Sequence, residues 1–189
     1  MRNANLRNSV LAGLLAGMTC VVAQYTFRIP ISPVPITFQV LMVMLAGGLL
    51  GSMWGAVAMG VYVLLGTVGL PVFAGGGHGP AVLFGPTGGY LLSYPVAAAA
   101  VGLLAPARLS PPLWRTAAAM TAGLAIIYLG GGGWAVLWGG KALATVVNGW
   151  VLPFVPLDLV KVAVAAGLTT AVNRALAAQG FLRQGHFYQ

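Results

Sequence analysis

Hydrophobic positions along this chain come in long blocks, several of which approach or exceed the ~18–20 apolar residues that a helix needs to cross a bilayer. Residues 9–27 form the first expected span, followed by 36–51, 53–68, 90–104, 115–129 and 156–176. Almost nothing separates the second span from the third. Between the others lie stretches of a different character. In 28–35 three prolines, Pro30, Pro33 and Pro35, forbid regular helix and favour a stiff, extended path. Residues 69–89 are glycine-rich and irregular, 106–114 is a short basic loop with prolines, and Gly130 to Gly133 are expected to end the fifth span.

One segment is ambiguous. Residues 134–154 are long enough to cross, but Gly139-Gly140-Lys141 and Asn148-Gly149 interrupt them. Charge decides the count. With six spans, Arg2, Arg7, Arg108, Arg115, Arg174 and Arg183 share one side, while Arg28 and Lys141 lie on the other with Lys161 near them. A seventh span would carry Arg174 and Arg183 across and weaken the bias. The positive-inside rule therefore favours six spans with both termini cytoplasmic, and leaves 130–155 as an interfacial or re-entrant outer segment.

This topology gathers 28–35, 69–89 and 130–155 at the outer end. Irregular backbone near membrane depth is tolerated only where protein or a water-filled cavity satisfies its polar groups. The three segments, with Phe73, Phe84, Tyr90, Trp134 and Trp138, are expected to surround a pocket that opens outward.

Composition agrees: 59% hydrophobic and 5% charged, with a mean hydropathy of +0.94, exclude a soluble globular domain. No polar linker divides the chain, so residues 1–189 read as a single all-α transmembrane domain in a cytoplasmic membrane. The formal net charge of +8 does not indicate nucleic acid, because the nine Lys and Arg are scattered singly between apolar runs. The single cysteine, Cys20, excludes an intramolecular disulfide and a multi-cysteine metal site. The basic N-terminus resembles a signal peptide, but the long apolar run behind it reads as a retained first span.

Against this background one residue is out of place. Asp158 is the only acidic side chain in 189 residues, and Lys161 follows three positions later at the start of the last apolar run. That spacing puts both on one helical face. A charge inside hydrocarbon costs ~2.5–3.5 kcal/mol even on the milder insertion scales, so such a pair marks a functional site by default. A purely internal salt bridge is the competing reading.

Enzymatic signals are missing. The chain has no Glu, hence no zinc-binding His-Glu-x-x-His helix and no second carboxylate for acid–base work. No Ser lies in a Gly-x-Ser nucleophile motif, and Gly140-Lys141-Ala142 is not a Walker A sequence. His78 and His186 are far apart and read as loop residues. No catalytic residue, metal or cofactor is expected, and any nucleotide hydrolysis belongs to another subunit. Small residues at four-residue spacing are frequent, as in Ala12 with Ala16 and in Gly47, Gly51 and Gly55, and they permit close helix approach in lipid. The Ala12–Ala16 pair starts at the cytoplasmic side and could dock a partner helix.

Four motifs then occur in order: Pro33-Val34-Pro35-Ile36-Thr37-Phe38-Gln39, Gly66-Thr67-Val68-Gly69-Leu70-Pro71-Val72-Phe73, Gly85-Pro86-Thr87-Gly88-Gly89-Tyr90 and Asp158-x-x-Lys161. In this combination, over about residues 10–175, the chain resembles BioY proteins, the biotin-binding S components of energy-coupling-factor (ECF) transporters. The resemblance implies a six-helix S-component fold and high-affinity capture of biotin from outside. It also implies a complex with a transmembrane coupling protein and two cytoplasmic ABC ATPases, docked through Ala12 and Ala16. Gln39, Phe73, Thr87, Tyr90 and Trp134 complete the expected ligand-binding set beside Asp158 and Lys161. Biotin's ureido N–H groups suit the Asp158 acceptors, and its ureido oxygen or carboxylate suits the Lys161 donors. The alternative is a stand-alone secondary transporter using Asp158 as a proton site, which the absence of an internal repeat disfavours.

Overall fold

The structure, a computed structural model, describes residues 2–27, 29–30, 32, 34–106 and 111–179; the expectations for Arg28, Arg108, Arg183 and His186 fall outside these. Among the described residues the fold is all-helical, with one isolated bridge between Phe27 and Ile36 and no strand. The elements are α1 (Arg2–Val22), α2 (Gln39–Thr67), α3 (Pro80–Leu83), α4 (Gly88–Leu104), α5 (Leu113–Leu137), α6 (Leu143–Val146) and α7 (Val155–Ala178), with a π-helical turn at Val147–Val151. Four of them, α1, α2, α5 and α7, are long and apolar enough to cross a membrane, and α4 is a shorter apolar helix. Large apolar side chains point outward on every long helix, among them Leu14, Met53, Leu103, Leu129 and Val160. That is the arrangement expected when the surrounding solvent is lipid.

The helix count departs from six. One-turn helices α3 and α6 add two, while the expected second and third spans form one element, α2, broken at a single residue. Gly51 has φ 78° and ψ −175°, a conformation that is essentially closed to residues with a Cβ. The two arms fold back on each other there. A Cβ placed on Gly55 would lie 2.9 Å from the carbonyl oxygen of Ala46 and from Cα of Gly47, eight residues back, a separation of ~12 Å along a straight helix.

The second departure is α5, which runs straight through Gly130 to Gly133. Glycine is a poor helix former in water, where an unwound turn can hydrate its backbone. In a packed apolar interior the helical hydrogen bonds have no substitute, and the missing side chains become contact surface. Thus Gly130 lies against Ser93, and Gly131 lies under the ring of Tyr90.

Similar close approaches hold the bundle together. Packing is most extensive between α2 and α4 and between α4 and α5. A Cβ on Gly47 would meet the carbonyl of Ala98 at 2.3 Å, and one on Gly102 would meet the Gly51 backbone at the same distance. Without a hydrophobic drive between helices in lipid, such contacts let dispersion and interhelical hydrogen bonds act. Ala12 and Ala16 belong to this internal packing, at 2% and 1% exposure against the body of the bundle. The small residues that α1 presents outward are Gly13 and Gly17, with open space in front of each.

Two ends follow from these contacts. The Gly51 turn, the end of α4 and the start of α5 meet at one end, where Arg115 Nε donates to the Leu104 carbonyl and Asn173 Nδ2 to the Gly48 carbonyl. The opposite end carries 23–27, 34–38, 68–87 and 138–154. There the Gly75 N–H donates to the Ala23 carbonyl and the Gly79 N–H to that of Gly66. Phe27 and Ile36 exchange reciprocal backbone bonds of 3.0 and 2.8 Å.

Gly51→Ala is expected to destabilise the protein by ~1–3 kcal/mol, read as a lower thermal midpoint in detergent, because the turn needs a φ that alanine avoids. An unchanged midpoint would contradict this account of the α2 reversal.

Candidate functional site

The end opposite the Gly51 turn contains a cavity of about 230 Å³. Its construction starts from glycines. Gly131 makes room for the Tyr90 ring, whose hydroxyl donates to the Trp150 carbonyl at 2.8 Å and ties α4 to the segment before α7. Gly66 makes room for Phe73, which packs edge-on against Tyr62 with centroids 5.7 Å apart. Both aromatic rings line the cavity. Further wall is supplied by Ile127 from α5 and by Trp150 and Phe154 ahead of α7.

A polar relay runs along one side. Thr37 Oγ1 donates to Gln39 Oε1 at 2.9 Å, Gln39 Nε2 donates to the Tyr62 hydroxyl, and that hydroxyl donates to the Val72 carbonyl at 3.1 Å. Thr37 and Gln39 line the cavity. The relay therefore fixes the residue 68–79 wall to α2.

The charged pair sits across from it. Val155–Ala178 begins with Pro156 in its first turn, where a missing N–H is harmless, and Asp158 occupies the same turn, where the helix dipole favours an anion. Asp158 is only 4% exposed. Lys161 Nζ donates to its Oδ1 at 2.7 Å, and the Tyr128 hydroxyl of α5 donates to Oδ2 at 2.7 Å. The carboxylate is thus neutralised and held from both sides. Each carboxylate oxygen keeps acceptor capacity, and the ammonium keeps two N–H donors. An apolar, aromatic chamber ending in such an array suits a neutral heterocycle with N–H donors and a carbonyl. It supplies no acid–base pair, and the described residues contain no group of three His, Cys, Asp or Glu.

Of the expected ligand set, Asp158, Lys161, Gln39, Phe73, Thr87 and Tyr90 all line this cavity. Trp134 does not. Its Nε1 donates to the Gly85 carbonyl at 3.0 Å, and its ring stacks on Trp138 in a neighbouring cavity that shares Trp150 with the first. His78 also stands apart from the lining, with Nδ1 3.1 Å from the Gly76 carbonyl. Sequence reasoning missed Tyr128, Tyr94, Trp150 and Phe154. A signal existed for Phe154, which lies one helical turn before Asp158 on the same face.

Comparison with known proteins agrees with the geometry. The model of the BioY family matches residues 1–178. "Biotin transporter BioY" of Thermotoga maritima is 41% identical over 161 residues, covering 85% of this chain and 92% of that protein. "Probable biotin transporter BioY" of Pyrococcus horikoshii is 39% identical over 156 residues, covering 82% and 89%. Among solved structures, the S-component for biotin from an ECF-type ABC transporter superposes with a TM-score of 0.83 over 92% of this chain and 94% of that one. At 23% identity, that likeness concerns the fold.

Removing one partner of the buried pair should be worse than removing both. Lys161→Ala is expected to destabilise the protein by on the order of 3 kcal/mol, since it strands the Asp158 carboxylate. Asp158→Asn combined with Lys161→Met should recover most of that loss. Thermal unfolding of the unaltered protein, the single variant and the double variant in detergent is the measurement, and a double variant no more stable than Lys161→Ala would rule out the coupling.

Proposed function

We infer the function from one premise, that the chain belongs to the BioY family. It is a transport protein of the membrane, not an enzyme. Its ligand is biotin, captured with high affinity from the outer side of a prokaryotic cytoplasmic membrane. The ureido N–H groups donate to Asp158, and the ureido oxygen accepts from Lys161. The thiophane ring lies among Phe73, Tyr90, Trp150 and Ile127, with Gln39 and Thr87 on the polar side. The observation that carries this reading is the neutralised Asp158–Lys161–Tyr128 array inside an aromatic chamber. The absence of an internal repeat in the sequence disfavours the alternative of a secondary transporter driven through Asp158.

The topology follows from the two ends. Arg7, Arg115 and Arg174 stand toward the end with the Gly51 turn, and Lys141 and Lys161 toward the other. With six crossings, counting the two arms of α2 separately, both termini lie in the cytoplasm and the cavity opens outside, the orientation that the positive-inside rule supports. On this reading residues 1–189 are one transmembrane domain. Uptake requires the coupling protein and two ABC ATPases of an ECF-type transporter. The docking face shifts by one residue from Ala12 and Ala16, which are buried, to Gly13 and Gly17, which face outward.

Asp158→Asn and Lys161→Ala should each weaken biotin binding tenfold or more, ~1.4 kcal/mol, because each leaves a desolvated partner unpaired. Calorimetry on folded, detergent-purified variants tests this, and unchanged affinity would make the pair purely structural.

Docking is tested separately. Leu at both Gly13 and Gly17 is expected to leave biotin binding intact while abolishing uptake in cells that co-express the coupling protein and ATPases. Trp at Ala12 and Ala16 should instead impair folding itself. Full uptake by the Gly13/Gly17 variant would remove this face from the mechanism.

A further inference from the structure

The cavity that contains the stacked Trp134 and Trp138 is about 460 Å³ in volume and is also lined by Phe84, Pro86, Lys141 and Trp150. Every polar side-chain group in this lining is an N–H donor, three indoles and one ammonium, and none is an acceptor. The Trp134 indole is already spent on the Gly85 carbonyl. A lysine just past a helix end often serves the last carbonyls. Here the backbone has taken that role. Gly140, at φ 59°, turns the chain so that the Trp138 and Gly139 N–H groups donate to the Trp134 carbonyl at 2.8 and 3.3 Å, and the Lys141 N–H donates to that of Ala135 at 3.2 Å. The Lys141 ammonium is exposed and makes no ion pair or hydrogen bond among the described residues. No acidic side chain is left for it, since Asp158 is the only one and both its oxygens are engaged by Lys161 and Tyr128.

The partner of such a site accepts hydrogen bonds, carries negative charge and comes from outside the chain. The surroundings narrow it further. Leu137, Trp138 and Leu143 are exposed beside the cavity, on a protein whose solvent is lipid. In a bilayer, Trp and Lys at the end of a spanning helix stand at the level of the headgroups. A phosphodiester that brings acyl chains with it meets all these conditions. We propose that this cavity binds the headgroup of an anionic phospholipid, its phosphodiester paired with Lys141 beside Trp134 and Trp138, its acyl chains along Leu137 and Leu143. A zwitterionic lipid is a weaker ligand, because its own ammonium competes with Lys141 for the phosphate. The site is distinct from the Asp158 chamber in the class of molecule it takes, and it does not rest on the reading of biotin as substrate.

The experiment uses the full chain in phosphatidylcholine nanodiscs without biotin. Trp54→Phe and Trp114→Phe leave the three tryptophans of this cavity as the fluorophores. Their quenching is titrated with bromine-labelled phosphatidylglycerol and with bromine-labelled phosphatidylcholine. The anionic lipid should quench at about a fivefold lower mole fraction, the upper range for a solvent-exposed ion pair. Lys141→Gln should abolish that preference, Lys141→Arg should restore it, and raising salt should shrink it. Native mass spectrometry of the protein with all five tryptophans gives a second reading: Lys141→Gln should retain one phosphatidylglycerol fewer than the unaltered protein. Equal quenching by the two lipids would overturn the proposal, since an ordinary aromatic belt predicts just that. A preference that survives Lys141→Gln would overturn it as well, by placing the anionic lipid at other cations. Loss of the preference on adding millimolar inorganic phosphate would assign the site to the free anion instead of the lipid.

Discussion

Helices in hydrocarbon gain nothing by burying apolar side chains against one another, because the lipid is as apolar as the protein. What remains is close contact, and this bundle is organised by where its small residues permit it. Gly47 against Ala98, Gly102 against Gly51, Gly55 against Gly47 and Gly130 against Ser93 set the interhelical distances. The same requirement explains the one-residue reversal at Gly51. Only a glycine there lets the arms of α2 turn within one residue and lets α4 approach the turn through Gly102. Hydrogen bonds complete the set at few points, such as Asn173 to Gly48 and Tyr90 to Trp150.

The chamber beside Asp158 is a by-product of that packing logic applied at one end. Tyr90 and Phe73 point into it because Gly131 and Gly66 leave room beneath their rings. Once those rings form walls, a buried carboxylate opposite them must be neutralised, and Lys161 does so from one turn away on the same helix. Tyr128 then fixes the carboxylate from a second helix, so the array depends on α5 and α7 staying in register. The array's stability rests on all three side chains together, which is why truncating one differs from replacing the pair.

Much of this was legible in the chain. The apolar blocks, the irregular segments that meet at one end and the Asp158–Lys161 pair follow from spacing and charge alone. Other features were hidden for definable reasons. Gly130 to Gly133 read as a helix stop because the rule comes from water, whereas here Gly130 and Gly131 are covered by α4 and Gly132 lies against Val146. Ala12 and Ala16 share a helix with Gly13 and Gly17, and a spacing of four cannot say which pair faces inward. Tyr128 lies in an uninterrupted apolar run 30 positions before Asp158, and its partnership exists only in three dimensions. Trp134 was expected at the ligand as an aromatic of the outer segments, yet its indole N–H is committed to Gly85 and its ring to Trp138.

The two ends of the bundle are physically joined through α1. Its outer face carries Gly13 and Gly17, and the two residues that follow it hold the cavity wall: the Gly75 N–H donates to the Ala23 carbonyl at 3.0 Å, and Gln24 Nε2 to the Pro71 carbonyl at 3.2 Å. That wall is in turn tied to α2 by Tyr62 at Val72 and by the Gly79–Gly66 backbone bond. All four bonds end on a backbone carbonyl, and two are backbone to backbone, so no single rotamer change releases the wall. A wall held this way keeps its position relative to α1 and to α2 together. Any displacement of α1 against α2 must therefore strain or break the contacts that close the chamber around Phe73.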